Sequence, residues 1–193
     1  MARIADFKAQ MTGGGARANQ FRTFLQFPNW VGLGALAGYQ ATFLCNATTL
    51  PQSSVDPIQV LYRGRPVNFA GERTFAPWTV TIYNDTDFTI RNAFEVWSNG
   101  IQNNAATNGY TNPLDYQADM TVEQLDRNGM VLKTYVFRDA FPTEVSEISL
   151  GYDQGGAIET FNVTFVYNLW VSNTTALNPD DNSNLSVPIV PAN

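Results

Sequence analysis

The sequence predicts a mainly β protein, an antiparallel β-sandwich or open barrel with one α-helix at about residues 87–99. Residues Trp78–Tyr83 alternate apolar and polar side chains, which is the period-two pattern of a half-buried strand. Asn128-Gly129 separates two alternating runs, Tyr116–Leu125 and Met130–Phe137, and Asn-Gly in that position is a strong hairpin signal. After Asp85-Thr86-Asp87 the apolar spacing becomes 4, 3 and 4, which indicates one helical face. That face comprises Ile90, Phe94, Trp97 and Ile101.

Three further strands complete the expected sheet. Asn19–Phe27 alternates and ends at Pro28. A glycine-rich apolar loop, Trp30–Gly38, precedes a predicted strand at Tyr39–Ala47. A long strand is expected at Ile158–Val171, because every second residue from Phe161 to Leu169 is apolar. The chain therefore predicts six to eight mostly antiparallel strands.

The whole chain, residues 1–193, is predicted to form a single domain with three extended segments. Three consecutive glycines near residue 14 disfavour regular structure, so residues 1–17 are predicted to be a flexible arm. Residues 51–77 hold four prolines and predict a long loop with one short strand at Ile58–Tyr62. The polar, proline-containing residues 172–193 predict a C-terminal arm.

The composition leaves two interpretations open. Charged residues make up only 15% of the chain and aromatic residues 13%, whereas a typical soluble domain is about one quarter charged. Interfaces between protein copies lose charges and gain aromatic residues, so burial against neighbouring copies would account for this composition. A β-rich monomer with an Asn/Thr/Gln surface would account for it equally well.

The net charge of −6 argues against tight binding to nucleic acid, which requires Lys and Arg to displace counterions from phosphates. An acidic wall would instead let a phosphate backbone slide past. The longest weakly apolar stretch, Val31–Gly38, is far shorter than the ~20 residues of a membrane-spanning helix. No apolar run follows Met1, so we expect synthesis and folding in a cytoplasm.

The sequence predicts no catalytic residue, cofactor or metal site, and therefore no enzyme. The absence of histidine removes the usual proton shuttle and the commonest metal ligand. The single cysteine, Cys45, is predicted to be a small buried hydrophobe. Asp180–Asn184 lacks the glycine and bidentate glutamate of a calcium loop, and Gly13–Gly15 lacks the Gly-Lys-Ser/Thr of a phosphate loop.

Two less favoured functions remain open. Glu144 with Glu147, or Asp119 with Glu123, would be the carboxylate pair of a hydrolase, if the two groups of either pair converged in a cleft. A carbohydrate-binding β-sandwich would instead use exposed aromatic side chains. The tryptophans available for such a face are Trp30, Trp78, Trp97 and Trp170.

Most of the chain resembles the tail tube protein of myoviruses, the contractile-tailed bacteriophages. The resemblance covers three groups of segments and a strand near the N-terminus. These segments are Tyr62–Arg65 with Trp78–Asp85, Ile90-Arg91 and Glu95–Trp97; Leu125–Gly129 with Lys133–Phe137 and Ala140–Thr143; Ile148–Asp153 with Ile158–Phe165; and Asn19–Phe21 with Phe27-Pro28.

The resemblance implies a virion tail tube, assembled in the host cytoplasm from hexameric rings whose strands join into a ring-wide barrel. The implied partners are other copies of the chain, the sheath, baseplate and tail terminator proteins, and DNA that passes without specific binding. A tube in a related contractile injection or secretion device is the alternative. Segments 30–38 and 51–77 and the two arms are candidates for stacking. The candidates for the channel wall are Asp119, Glu123 and Asp126.

Overall fold

The computed structural model describes residues 3–175. Seven of its nine strands form an antiparallel sheet in the order β1-β6-β7-β8-β5-β2, with β9 on the other side of β7, and β3 and β4 form a separate two-stranded sheet. The strands are β1 Phe21–Leu25, β2 Cys45–Thr48, β3 Ser53–Tyr62, β4 Arg65–Phe75, β5 Trp78–Tyr83, β6 Ala118–Leu125, β7 Val131–Val145, β8 Thr160–Val166 and β9 Leu169–Ser172. The helices are α1 Ile4–Gln10, α2 Gly34–Leu44, α3 Thr89–Ile101 and α4 Pro113–Tyr116.

Strand β7 belongs to both layers of the sandwich. Its first part pairs with β6 and β9, and residues 141–145 pair with β8. The register of β7 shifts opposite Ala118–Met120, and Asp139 adopts a positive φ of 56° nearby. Bulges of this kind bend a strand and increase its twist. The first layer is therefore β1-β6-β7-β9 and the second is β7-β8-β5-β2, and both contribute buried side chains to one core.

The core is aromatic and is closed by α3. The Trp78 ring stacks on Phe137 with centroids 4.3 Å apart, and so joins the two layers. Helix α3 inserts Phe94 and Trp97, and both rings pack near Phe165. The Trp97 indole donates to the Tyr116 carbonyl at 2.8 Å, so its polar nitrogen is satisfied. The prediction of one helical face is confirmed here, with bounds two residues later than the predicted 87–99.

The predicted loop at Trp30–Gly38 and strand at Tyr39–Ala47 are wrong, because residues 34–44 form helix α2. The buried residues Ala37 and Ala41 are four apart, which is helical spacing. Small residues let this helix approach β1 closely, since a Cβ on Gly38 would lie 2.5 Å from the Leu25 carbonyl oxygen. Only residues 45–47 of the expected strand are extended, as part of β2. The expectation of a single helix is corrected accordingly, because α1, α2 and α4 accompany α3.

The predicted long loop at 51–77 is mostly a hairpin of two long strands, β3 and β4. Its turn residues Arg63 and Gly64 both have positive φ, of 50° and 81°, as a two-residue hairpin turn requires. Pro57 lies at a register shift, and Pro66 pairs with Leu61. Both strands are edges, where a proline is tolerated because one side of the strand has no ladder partner.

The single strand expected at Ile158–Val171 is interrupted. Strand β8 ends at Val166, and the Asn168 amide donates to the Arg138 carbonyl at 3.1 Å before β9 begins in the other layer. The N-terminal segment contains α1, which has no buried residue; its flexibility stays a prediction. The C-terminal arm from residue 176 onward, including Asp180–Asn184, lies outside the described residues.

Candidate assembly surfaces

Helix α2 carries no charge, and among the residues that the structure describes only one of its sides is covered. Its sequence, Gly-Ala-Leu-Ala-Gly-Tyr-Gln-Ala-Thr-Phe-Leu, contains no charged residue. One side packs on β1, while Leu36, Tyr39 and Phe43 are 50%, 67% and 70% exposed on the other. Helices that are apolar all round are normally buried in an assembly or a large core. We call this exposed side, together with the preceding Leu33, the α2 face.

A groove runs between the α2 face and strand β1. Its volume is about 620 Å³, and Phe24, Phe27, Gly38, Tyr39 and Phe43 contribute to its lining. The lining contains no charged residue. Beside an exposed apolar helix, such a groove is suited to an apolar segment of another chain.

The β3–β4 hairpin carries a second apolar surface. Ile58 pairs with Phe69 and Val60 pairs with Val67, so these four side chains share one face of the ribbon. All four are between 42% and 57% exposed. A two-stranded hairpin is at best marginally stable alone in water, so the ribbon needs a further surface to bury this face.

The tip of the hairpin is basic. Arg63 and Arg65 flank Gly64, and neither forms an ion pair with a residue of the described chain. The Arg63 guanidinium lies 5.4 Å from the centre of its neighbour, the Tyr62 ring. Leu61 and Tyr62 are 75% and 63% exposed, so the tip combines positive charge with apolar surface.

The loop between β7 and β8 has the opposite charge. Residues 146–159, which we call the acidic loop, contain Glu147, Asp153 and Glu159. Glu159 accepts a hydrogen bond from the Asn84 side chain at 2.8 Å, which leaves Glu147 and Asp153 as its exposed carboxylates. Exposed apolar residues interrupt the loop at Leu150, Tyr152 and Ile158. Sequence reasoning missed this surface, although a signal was present: no Lys or Arg occurs after Arg138.

Two of the three predicted channel carboxylates are paired with arginine on the outward side of the first layer. Glu123 faces Arg22 across the β1–β6 ladder with a nitrogen–oxygen distance of 2.7 Å, and Asp119 pairs with Arg138. Asp126 has a structural role instead, because its carboxylate accepts hydrogen bonds from the backbone amides of Asn128 and Met130 in the β6–β7 turn. The outward face around these pairs is therefore charged but locally neutral.

Each layer of the sandwich ends in strands with a free edge among residues 3–175. The first layer ends in β1 and β9, and the second in β2 and residues 141–145 of β7. Unpaired backbone groups at such edges pair readily with strands of another chain.

The described residues offer little support for the less favoured functions. Trp78 and Trp97 are buried, so two of the four tryptophans cannot contact a sugar. Asp119 and Glu123 are each held by an arginine, and Glu144 and Glu147 are exposed. Cys45 is half-buried, and burial raises the pKa of its thiol above the usual value, which disfavours the reactive thiolate. Within residues 3–175, no group of three metal-ligating side chains comes together.

None of the helices between residues 3 and 175 has both the length and the apolar character needed to span a membrane.

The chain is similar in sequence to phage tail tube proteins. The family model for phage tail tube protein matches residues 16–173. The tail tube protein gp19 of Enterobacteria phage T4 is 34% identical over 166 residues, which are 84% of this chain and 95% of that protein. The tail tube protein of Serratia phage KSP90 is 28% identical over 152 residues, covering 78% of this chain and 85% of that protein.

Solved structures show the same fold at low identity. A chain of the extended sheath–tube complex of the extracellular contractile injection system PVC aligns with a TM-score of 0.60 at 16% identity, over 85% of this chain and 95% of its own length. A chain of the tube-terminating cap of the anti-feeding prophage aligns with a TM-score of 0.61 at 16% identity, over 83% and 92%. The family match over most of the chain and the T4 relative together establish that the chain belongs to the phage tail tube protein family.

Proposed function

We propose that the chain is the subunit of a hollow tail tube, in which six copies close into a ring and the rings stack inside a contractile sheath. The observation that carries the proposal is the uncharged α2 face, on which Leu36, Tyr39 and Phe43 are at least half exposed. Covering this surface with another copy removes it from solvent. Family membership identifies a tube as the assembly that copies of this chain build.

Ring closure follows from the free strand edges. In a head-to-tail arrangement, β1 of one copy pairs with β9 of the next, and a rotation that closes on itself gives a ring. A closed sheet has no edge left, so the ring-wide barrel satisfies the backbone groups that a single copy leaves open. The two edge strands hold only 5 and 4 residues, which limits aggregation of the single copy before assembly.

The tube conducts DNA without holding it. The Arg22–Glu123 and Arg138–Asp119 pairs keep one outward face locally neutral, and the chain as a whole carries a charge of −6. A surface with its arginines already paired releases few counterions from a phosphate backbone, so sequence-independent binding is weak. We place this face on the channel wall, with the sheath, baseplate and tail terminator proteins as the further partners of the tube.

Electron microscopy of the purified full-length chain tests the proposal. Rings or tubes are expected from the wild type as its concentration rises. Leu36→Glu/Phe43→Glu places two charges on the α2 face and should abolish assembly, since desolvating unpaired charges strongly opposes contact. Both residues are at least half exposed, so the fold should survive.

Leu114→Glu is the control, because Leu114 is 83% exposed on the short helix α4 and does not line the groove beside the α2 face. It should assemble as the wild type does. A wild type that stays monomeric at high concentration, or a Leu36→Glu/Phe43→Glu variant that builds normal tubes, would contradict the proposal.

A further inference from the structure

The hairpin and the acidic loop leave the second layer at opposite ends. Strand β4 ends at Phe75, so the hairpin joins the layer beside Trp78, the first residue of β5. Trp78 lies opposite Phe165, and at the other end of the same ladder Tyr83 lies opposite Thr160. The acidic loop leads directly into Thr160. The ladder has six paired positions, so five residue steps separate its two ends, which is about 17 Å at 3.4 Å per residue.

The two segments are complementary in charge. The hairpin tip presents Arg63 and Arg65, and the acidic loop presents Glu147 and Asp153. None of these four side chains takes part in an ion pair within the described chain. Arg91, which donates to the Ser146 carbonyl at the start of the acidic loop, is already paired with Glu95 at 2.9 Å.

The two segments are also complementary in apolar surface. Leu61 and Tyr62 at the tip are more than 60% exposed, and Leu150, Tyr152 and Ile158 in the acidic loop are at least 68% exposed. A specific interface usually has an apolar centre surrounded by polar and charged residues. Each of these segments holds apolar side chains that stay exposed among residues 3–175.

We propose that the hairpin tip of one copy docks on the acidic loop of a second copy, with Arg63 and Arg65 against Glu147 and Asp153. Because the two segments leave one layer at opposite ends, a head-to-tail contact between them repeats along the strand direction and joins copies in successive rings. Each strand of the hairpin has ten or more residues, which gives a reach of about 30 Å beyond the layer. This inference rests on the proposed tube and names the contact that stacks it.

Charge reversal tests the contact in the full-length chain. Arg63→Glu/Arg65→Glu should leave single rings in the electron microscope and lower the sedimenting tube fraction at least tenfold. Adding Glu147→Arg/Asp153→Arg to the same chain should restore tubes. Raising the salt from 0.1 M to 1 M should weaken wild-type stacking, because the Debye length falls from about 10 Å to about 3 Å.

Arg127→Glu/Asn104→Asp/Asn108→Asp is the matched control, because it makes the same change in net charge at three exposed residues outside the hairpin and the two arms. It should stack as the wild type does. If the Arg63→Glu/Arg65→Glu variant forms tubes as the wild type does, this contact alone is overturned. The same holds if adding Glu147→Arg/Asp153→Arg does not restore tubes. A wild type that never associates would overturn the proposed tube and this contact together.

Discussion

The β5–β8 and β3–β4 strand pairs have the same antiparallel backbone pairing and opposite surroundings. In the first pair, Val80, Val163 and Phe165 are fully buried between the two layers. In the second, Ile58 and Phe69 are directly paired but 54% and 57% exposed. Burying a large apolar side chain stabilises a protein by about 1.5–3 kcal/mol, and the hairpin forgoes most of this within one copy. Both ladders form within one chain, whereas among residues 3–175 the apolar face of the hairpin stays about half exposed.

The largest expected effect on stability comes from a substitution in the buried β5–β8 pair, compared with one in the exposed β3–β4 pair. Phe165→Ala should lower the free energy of unfolding by about 3–5 kcal/mol, because it opens a cavity among Trp78, Phe94 and Trp97. Phe69→Ala should change it by less than about 0.5 kcal/mol, as surface substitutions usually do. Urea unfolding at a concentration where both variants sediment as monomers measures the difference. Equal losses would show that the hairpin is part of the folded body.

A smaller effect is expected where α2 meets β1. Gly38→Ala places a Cβ 2.5 Å from the Leu25 carbonyl oxygen and should destabilise the monomer by about 1–3 kcal/mol, the usual range for overpacking. This would reverse the usual benefit of replacing glycine by alanine in a helix. Gly32→Ala, with no atom within 4 Å of the added Cβ, is the control and should be nearly neutral in the same urea measurement. A neutral Gly38→Ala would mean that α2 does not sit tightly on β1.

The smallest effect is expected at the surface pair Arg22–Glu123. A double-mutant cycle with Arg22→Gln and Glu123→Gln should give a coupling free energy of about 0.2–1 kcal/mol, because Arg22 is 44% exposed and solvent screens the pair. The coupling should shrink in 1 M salt. A coupling well above this range in the monomer would indicate a pair that is already desolvated before any ring forms.

The sequence predicted those elements whose periodicity reflects burial within one chain. Strand β5 was predicted with its observed bounds, because Trp78, Val80 and Ile82 face the core and alternate with half-buried residues. Helix α2 was predicted as a loop and a strand, because its many small apolar residues carry no amphipathic pattern. Its structure depends on close packing against β1, which is a tertiary effect.

The assembly surfaces were harder to predict for a related reason. The four prolines in 51–77 indicated a loop, whereas Pro57 and Pro66 are tolerated because the hairpin has free edges. The need of stacked rings for adaptable segments did identify 51–77 as a stacking candidate. The acidic loop could have been found from the charge imbalance after Arg138, but its position opposite the hairpin follows only from the β5–β8 register.

Hydrogen–deuterium exchange on assembled tubes and on dilute monomer tests whether other copies cover the exposed surfaces. Amides of the β3–β4 hairpin, α2 and the edge strands β1 and β9 should exchange at least tenfold more slowly in tubes. Amides of β5, which are already buried within one copy, should exchange at the same rate in both samples. Tubes in which the hairpin and α2 exchange as fast as in the monomer would contradict the claim that other copies cover these surfaces.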